Sequence, residues 1–199
     1  ALSGLAGDAS DITAFTVGGT DHLAGISTSY TLGVLTVTYD DPGVYASGNV
    51  VAVSITAEDN LGNSATYNWS FTVDTAGPTF SDASPADTGF TNDPTPLISV
   101  KVQDALSGLL GDETDITAFT VEGTDHLNDI STSYTGNVLT VSYQDDSNYA
   151  NGTVVDVSIT AEDNLGNSAT HTWSFTVDTV DPVCTGDTPA NGSFTNNGK

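Results

Sequence analysis

Val155-Asp156-Val157-Ser158-Ile159-Thr160-Ala161-Glu162-Asp163-Asn164-Leu165-Gly166-Asn167-Ser168-Ala169-Thr170-His171-Thr172-Trp173-Ser174-Phe175-Thr176-Val177 decides the fold. Val155, Val157 and Ile159 alternate with polar residues, and so do Trp173, Phe175 and Val177. A strand turns successive side chains to opposite faces, so this period of two marks a pair of half-buried strands. Between them, Asp163-Asn164-Leu165-Gly166-Asn167 is turn chemistry: Asp and Asn bind nearby backbone N–H groups, and Gly takes φ > 0 freely.

The stretch recurs 104 residues earlier, with Asp59-Asn60-Leu61-Gly62-Asn63 as its turn and Trp69 in the place of Trp173. Ala1-Leu2-Ser3-Gly4-Leu5 returns in the same register as Ala105-Leu106-Ser107-Gly108-Leu109. Without a gap, 63 of the 95 positions in 1–95 match those in 105–199. Such identity means tandem copies of one unit, which constrains the architecture before any strand is placed. Val73-Asp74-Thr75-Ala76-Gly77-Pro78 and Val177-Asp178-Thr179-Val180-Asp181-Pro182 each follow a β-rich run and end in Pro, which halts sheet pairing, so both read as linkers. The expected domains are 1–75, a copy lacking its first strands; 76–179, a complete copy; and 180–199, the start of a third. Position 199 matches position 95, nine residues short of two periods, so the chain reads as a window on a longer array.

Further strands follow within the complete copy. Ile98, Val100 and Val102 alternate with Ser99, Lys101 and Gln103, which puts Lys101 on the outward side. Phe119 and Val121 share a face of 117–121, and 131–134 and 138–143 flank the tight turn Thr135-Gly136-Asn137. With an opening strand near 79–82, seven short strands fall in about 100 residues, and no segment has a helical period. The expected fold class is all-β: tandem immunoglobulin-like β-sandwiches of about seven strands each, with Trp173 and Phe175 in the core.

Charge narrows the partners. Twenty-six acidic side chains face two Lys and no Arg, a formal net charge of −24. Nucleic-acid binding needs a basic footprint, and so does attraction to an anionic membrane surface. No run approaches the roughly 20 apolar residues of a membrane helix, so membrane insertion is not expected. Cys184 is the lone cysteine, which excludes an internal disulfide framework and a cysteine metal clip. Asp outnumbers Glu 22 to four, and Asp is the acid of turns, caps and compact oxygen cages.

Loops in a sandwich alternate between its two ends. The linker carrying Asp74, the loop opening at Asp104 with Asp112 in it, and the turn bearing Glu162 and Asp163 therefore converge on one end. Their counterparts 104 residues away are Asp8, Glu58, Asp59 and Asp178. Each Asp taken alone reads as a cap or a solvated surface residue, but Asp74, Asp104 and Asp163 together would repel strongly without a counterion. Many flexibly held oxygen donors suit Ca²⁺ rather than Mg²⁺, which keeps waters and a strict octahedron; Zn²⁺ would call for His or Cys. Asp40-Asp41 and Asp145-Asp146 fall at the opposite end as turn residues. His22 and His126 each stand alone, and His171 is Tyr67 in the other copy, so no metal role shared by both copies fits there.

The run from Ile159 to Asn167, then Trp173-Ser174-Phe175-Thr176-Val177-Asp178-Thr179, resembles the bacterial Ig-like repeats of giant secreted adhesins. Their pattern is a strand, A-x-D-x-x-G-N, and a second strand ending in V-D-T before Pro. Both copies match it, as does Ser84-Pro85-Ala86, while Leu165-Gly166 replaces the commoner Ala-Gly. The resemblance implies long arrays of sandwiches on the bacterial surface or secreted from it, holding a terminal binding domain away from the cell, with Ca²⁺ stiffening the junctions in several members. By position it assigns the turn aspartate to Asp59 and Asp163 and the linker aspartate to Asp74 and Asp178. The Lys–Asn cross-link of some Gram-positive relatives is not expected with Lys101 facing outward.

The expected function is a structural extender of an adhesin or extracellular fibre, partnered by neighbouring repeats of its own chain. Alternatives are a subunit of a filament of identical chains and a carbohydrate- or ice-binding module, which would want an exposed aromatic row or flat Thr ladder. Enzymatic activity is not expected, since the carboxylates lie in exposed loops and no nucleophile–base pairing or phosphate loop appears. Acidity as an adaptation to high salt would predict stability that follows NaCl or KCl rather than Ca²⁺.

Overall fold

The computed structural model describes residues 4–186, 188 and 190–196. The Ala1-Leu2-Ser3 head of the repeated motif, and 187, 189 and 197–199 of the expected third copy, lie outside them. The chain divides into two compact units, 1–76 and 77–199. Regular structure among the described residues is all β apart from short 3₁₀ turns, and no helix is long and apolar enough to cross a membrane.

The first unit holds β1 (Ile12–Val17), β2 (Thr20–Asp21), β3 (Ser27–Thr31), β4 (Val34–Thr38), β5 (Val50–Glu58) and β6 (Ser64–Thr72). Its main sheet has the order β2-β1-β5-β6, and β3 and β4 form a separate hairpin. The quoted pattern's first copy becomes the β5–β6 hairpin, paired from Val50↔Thr72 to Glu58↔Ser64. Ile12, Phe15, Val17, Val51 and Val53 are buried, with Leu35, Val37 and Tyr39 partly buried against them.

The second unit adds three leading strands, β7 (Thr79–Ser84), β8 (Gly89–Thr91) and β9 (Leu97–Gln103). It then repeats the first unit's order as β10 (Ile116–Val121), β11 (Thr124–Asp125), β12 (Ser131–Thr135), β13 (Val138–Gln144), β14 (Val154–Glu162) and β15 (Ser168–Val177). One sheet runs β11-β10-β14-β15-β8 and the other β12-β13-β9-β7. Their inner faces meet in one core that includes Ile98, Val100 and Val102 of β9, Leu139 and Val141 of β13, Phe119 of β10, and Trp173, Phe175 and Val177 of β15. Period-two alternation thus becomes alternation between core and solvent, seen in β9 as Ile98, Val100 and Val102 buried between more exposed neighbours.

The sequence pattern does not announce β8 or β11. Three residues suffice for β8 because it only lines the edge of β15, in parallel, with Phe175↔Gly89 and Val177↔Thr91 in register. Residues 180–186, 188 and 190–196, the described part of the expected third copy, carry no strand. Lys101 on β9 is exposed, and its ammonium bonds Asp82 at 2.8 Å.

Candidate functional site

Asp104 follows directly on β9. Its Oδ1 accepts from Leu106 N at 3.0 Å, Gly108 N at 2.7 Å and the Ser107 hydroxyl at 3.3 Å. One short carboxylate thereby turns the chain back on itself, helped by Gly108 at φ +76°. Asp163 does the same in the β14–β15 turn. Its Oδ1 accepts from Leu165 N and Asn167 N, both at 2.8 Å, and its Oδ2 from the Asn167 amide at 2.8 Å. The two loops lock together: Asn164 N donates to Gly108 O at 3.0 Å, and Asn164 Nδ2 to Ser107 O at 2.9 Å.

This interlock brings an Asp104 carboxylate oxygen within 4.8 Å of one on Asp163. Asp163 is 6% exposed. Burial pushes its carboxyl up, but hydrogen bonds from Asn167, Leu165 and Ser107 outweigh that and leave its pKa below the ordinary aspartate value. The Ser107 hydroxyl reaches both acids and carries one proton, so it can donate to only one of them at a time. Lys101, the described Lys, is engaged by Asp82.

Gly77 enters the second unit beside the same turn. A Cβ on Gly77 would lie 2.5 Å from the Ser168 carbonyl oxygen, so no side chain fits where this segment passes the start of β15. Asp74 lies three residues ahead of Gly77. Within the first unit Asp74 accepts from the Ser47 hydroxyl at 3.0 Å and from Ala76 N at 3.1 Å.

The other expected ligands have local roles. Asp112 and Asp8 are exposed N-caps of 3₁₀ turns, accepting from Thr114 and Ser10. Those side-chain and backbone bonds lower both pKa values. Asp59 clasps Leu61 N and Asn63 as Asp163 clasps its own turn. Glu58 and Glu162 end β5 and β14, half-buried. Asp178 is exposed; it accepts from Val180 N at 3.2 Å and donates its own N–H to Thr91 O.

Two structural roles escape the sequence pattern. Asp115, at 3% exposure, accepts from Leu110 N, Gly111 N and Asp112 N, and closes the 110–115 loop; Asp11 repeats this on Ala6, Gly7 and Asp8. Ser107 is the other, and its signal is its place between Asp104 and the turning Gly108. The histidines pair with rings: His22 Nδ1 lies 2.7 Å from the Tyr39 hydroxyl, and His171 stacks between Phe80 and Trp173.

No family model matches the sequence, and no curated protein does. Among solved structures, dimeric latent PorU from Porphyromonas gingivalis is similar at 19% identity and a TM-score of 0.40, over 78% of this chain and 17% of that one. The Bacteroides ovatus mixed-linkage glucan utilization locus protein SGBP-B, in complex with a mixed-linkage heptasaccharide, is similar at 14% identity and a TM-score of 0.27, over 85% of this chain and 39% of that one. The chain thus spans well under two thirds of either.

Proposed function

We propose that this chain is an extender: tandem immunoglobulin-like sandwiches of a bacterial cell-surface adhesin or extracellular fibre, stiffened by Ca²⁺ where one repeat meets the next. The observation that carries the reading is the close approach of Asp104 and Asp163 in a chain of net charge −24. With their oxygens within 4.8 Å and an effective dielectric of about 20, two carboxylates repel by roughly 3 kcal/mol. Hydrogen bonds keep Asp163 charged despite its burial, and a cation would offset the remaining repulsion, since the described Lys is engaged elsewhere.

The donors suit a hard cation. All are oxygens, and backbone N–H bonds already fix Asp104 and Asp163 in direction while each carboxylate keeps lone pairs to offer. Asp74 is the third donor in this reading, since the chain itself holds it within about 11 Å of Gly77. A bound Ca²⁺ would neutralise the carboxylates and tie the linker to the 104–108 loop and the 163–167 turn. Without it, Asp104 and Asp163 repel and the 74–78 linker is left to flex.

Calorimetric titration with Ca²⁺, and scattering and melting with and without chelator, test the proposal. Saturable binding, a higher melting temperature and a longer, fixed maximum dimension with Ca²⁺ are expected. Unchanged melting and unchanged dimension would sink it.

A further inference from the structure

The outer face of the sheet β11-β10-β14-β15-β8 is laid out in polar rows. Ser158 stands in register between Thr172 and Thr120, Asp156 beside Ser174, and Val154 beside Thr176. Phe175 and Val177 are sealed in the core, so Thr176 and its β8 partner Phe90 face outward, and Phe90 is 74% exposed. The loop ahead of β8 is pinned to β15: Thr88 N donates to Ser174 O at 2.7 Å, and Ser174 N to Asp87 Oδ1 at 3.2 Å. Gly89 N closes the turn on Ala86 O at 2.9 Å, and a Cβ on Gly89 would lie 2.8 Å from that oxygen. Two neighbouring grooves flank this loop. One, of about 400 Å³, is lined by residues including Asp87, Thr120, Asp156, Ser158, Thr172 and Ser174. The other, of about 450 Å³, is lined by residues including Ser84, Phe90, Thr91, Asp93 and Leu97.

We propose that this face binds a neutral oligosaccharide, Phe90 stacking on one sugar ring and the groove between Asp87 and Asp156 holding the next by its hydroxyls. A sugar ring joins an apolar C–H face to a rim of hydroxyls. The exposed aromatic face suits the first. Carboxylates, which accept several O–H bonds, and Ser and Thr hydroxyls, which donate and accept, suit the second. Asp87 gives Oδ1 to Ser174 N, and its Oδ2 is left to a ligand. Asp156 is held through its backbone, its N–H donating to Glu122 Oε1 and its carbonyl accepting from Glu122 N, which leaves the exposed carboxylate to a ligand. Successive rows along β15 are about 7 Å apart, so Phe90 lies one row from the acids, within reach of adjacent sugars of one chain.

Charge and geometry exclude other guests. A uronate or sulfated glycan would be repelled by a chain of net charge −24 whose described Lys is engaged by Asp82. No three acids of this face come within reach of a common ion among the described residues. An added peptide strand is recognised by main-chain groups at a sheet edge, whereas the Asp87–Asp156 groove offers side-chain oxygens across β10, β14 and β15. The first unit is a natural contrast: the positions of Glu122 and Asp156 are Gly18 and Ala52 there.

The test uses the full chain in chelator, so that calcium plays no part, and follows amide NMR shifts on titration with cellohexaose, maltohexaose, mannohexaose and xylohexaose. Oligogalacturonate is the acidic control and a Lys-rich peptide the cationic one. Expected are saturable shifts at 87–91, 156–158 and 172–176 with at least one neutral hexaose and none with oligogalacturonate. Phe90→Ala and Asp156→Ala should each weaken that binding about tenfold or more, and Phe90→Tyr should retain it. Both side chains are exposed, and Ala is the first unit's own residue at the second position, so melting should not change. Three results overturn the proposal. One is a face that no neutral hexaose shifts, or that oligogalacturonate shifts more strongly. Another is binding that survives both alanine substitutions, which would place the sugar elsewhere. The last is a response to the Lys-rich peptide alone, which would make the face a docking site for a basic protein.

Discussion

Trp69 and Trp173 stand in the same run, Trp-Ser-Phe-Thr-Val, on equivalent strands of equivalent hairpins, yet one ring is open to solvent and the other sealed. Sequence places both on the same face of a strand; it does not cover them. The cover comes from β7 to β9, whose Ile98, Val100 and Val102 are 0% exposed. Burial is therefore a property of the neighbours a strand acquires, and a hydrophobic pattern states only which side awaits them. Trp173 is enclosed so fully that its indole N–H has no hydrogen-bond partner.

The sharpest way to break this comparison is to truncate one ring in each unit. Phe175→Ala should destabilise the second unit by about 3–5 kcal/mol, the cost of a lost buried ring and its cavity. Phe71→Ala should cost the first unit less than half as much, since no sealed cavity is left. Each unit has one Trp, so denaturant melts in a Trp69→Phe background follow the second unit, and in a Trp173→Phe background the first. Equal losses would mean that Phe71 is covered in solution.

The acids repeat the contrast. The second unit brings Asp163 close to Asp104, and in the first unit Asp59 clasps Leu61 N and Asn63. Asp163→Asn and Asp104→Asn should each abolish the rise in melting temperature on adding Ca²⁺, while Asp59→Asn leaves it intact. The effect at stake is about 2.7 kcal/mol at a hundredfold excess of ligand over Kd. An Asp59→Asn chain that loses the calcium response would overturn the assignment to the Asp104–Asp163 end.

One substitution should treat the units alike. Asp115 and Asp11 each hold three backbone N–H groups of their own loop and are equally buried at 3%. Alanine at either leaves those donors unmet, at roughly 1–3 kcal/mol. The two losses should agree, because the clamp is made within six residues and owes nothing to the covering strands. A large difference would show that cover reaches even this loop.

What the sequence makes legible follows the range of the interaction. The β5–β6 and β14–β15 hairpins are readable because nine or ten residues of alternation carry their own signal. The approach of Asp104 to Asp163 follows from loops alternating between two ends. β8 is not readable, since three residues contain no period and its partner lies more than 80 residues on. The choice between Asp112 and Asp115 is hidden too. Both sit in Asp112-Glu113-Thr114-Asp115, and only the phase of a 3₁₀ turn turns one outward as a cap and the other inward as a clamp.

The smallest effect lies at the other end of β9, where Tyr149 donates to Asp145 and Tyr45 to Asp41. Asp145 is buried, and both residues bond backward to the covering segment, Asp145 N to Pro96 O and Tyr149 N to Pro94 O. In the first unit the causes of the shifts stand in a different order. Burial leads in pushing the Tyr149 hydroxyl far above its ordinary value, followed by the Asp145 bond. For Tyr45 the Asp41 bond leads, followed by burial. In both, the folded pKa exceeds the unfolded one near 10, so the native state keeps a proton that the unfolded chain has lost. The contribution is whole below about pH 10 and is lost as pH rises through the folded value. Tyrosinate absorbance should show Tyr45 ionising before Tyr149. Asp41→Asn should bring Tyr45 most of the way back to the ordinary range, while Asp145→Asn leaves Tyr149 raised, because removing a carboxylate does not remove the strand above it. If both tyrosines relaxed equally, the carboxylate rather than the cover would set the difference between the units at this end.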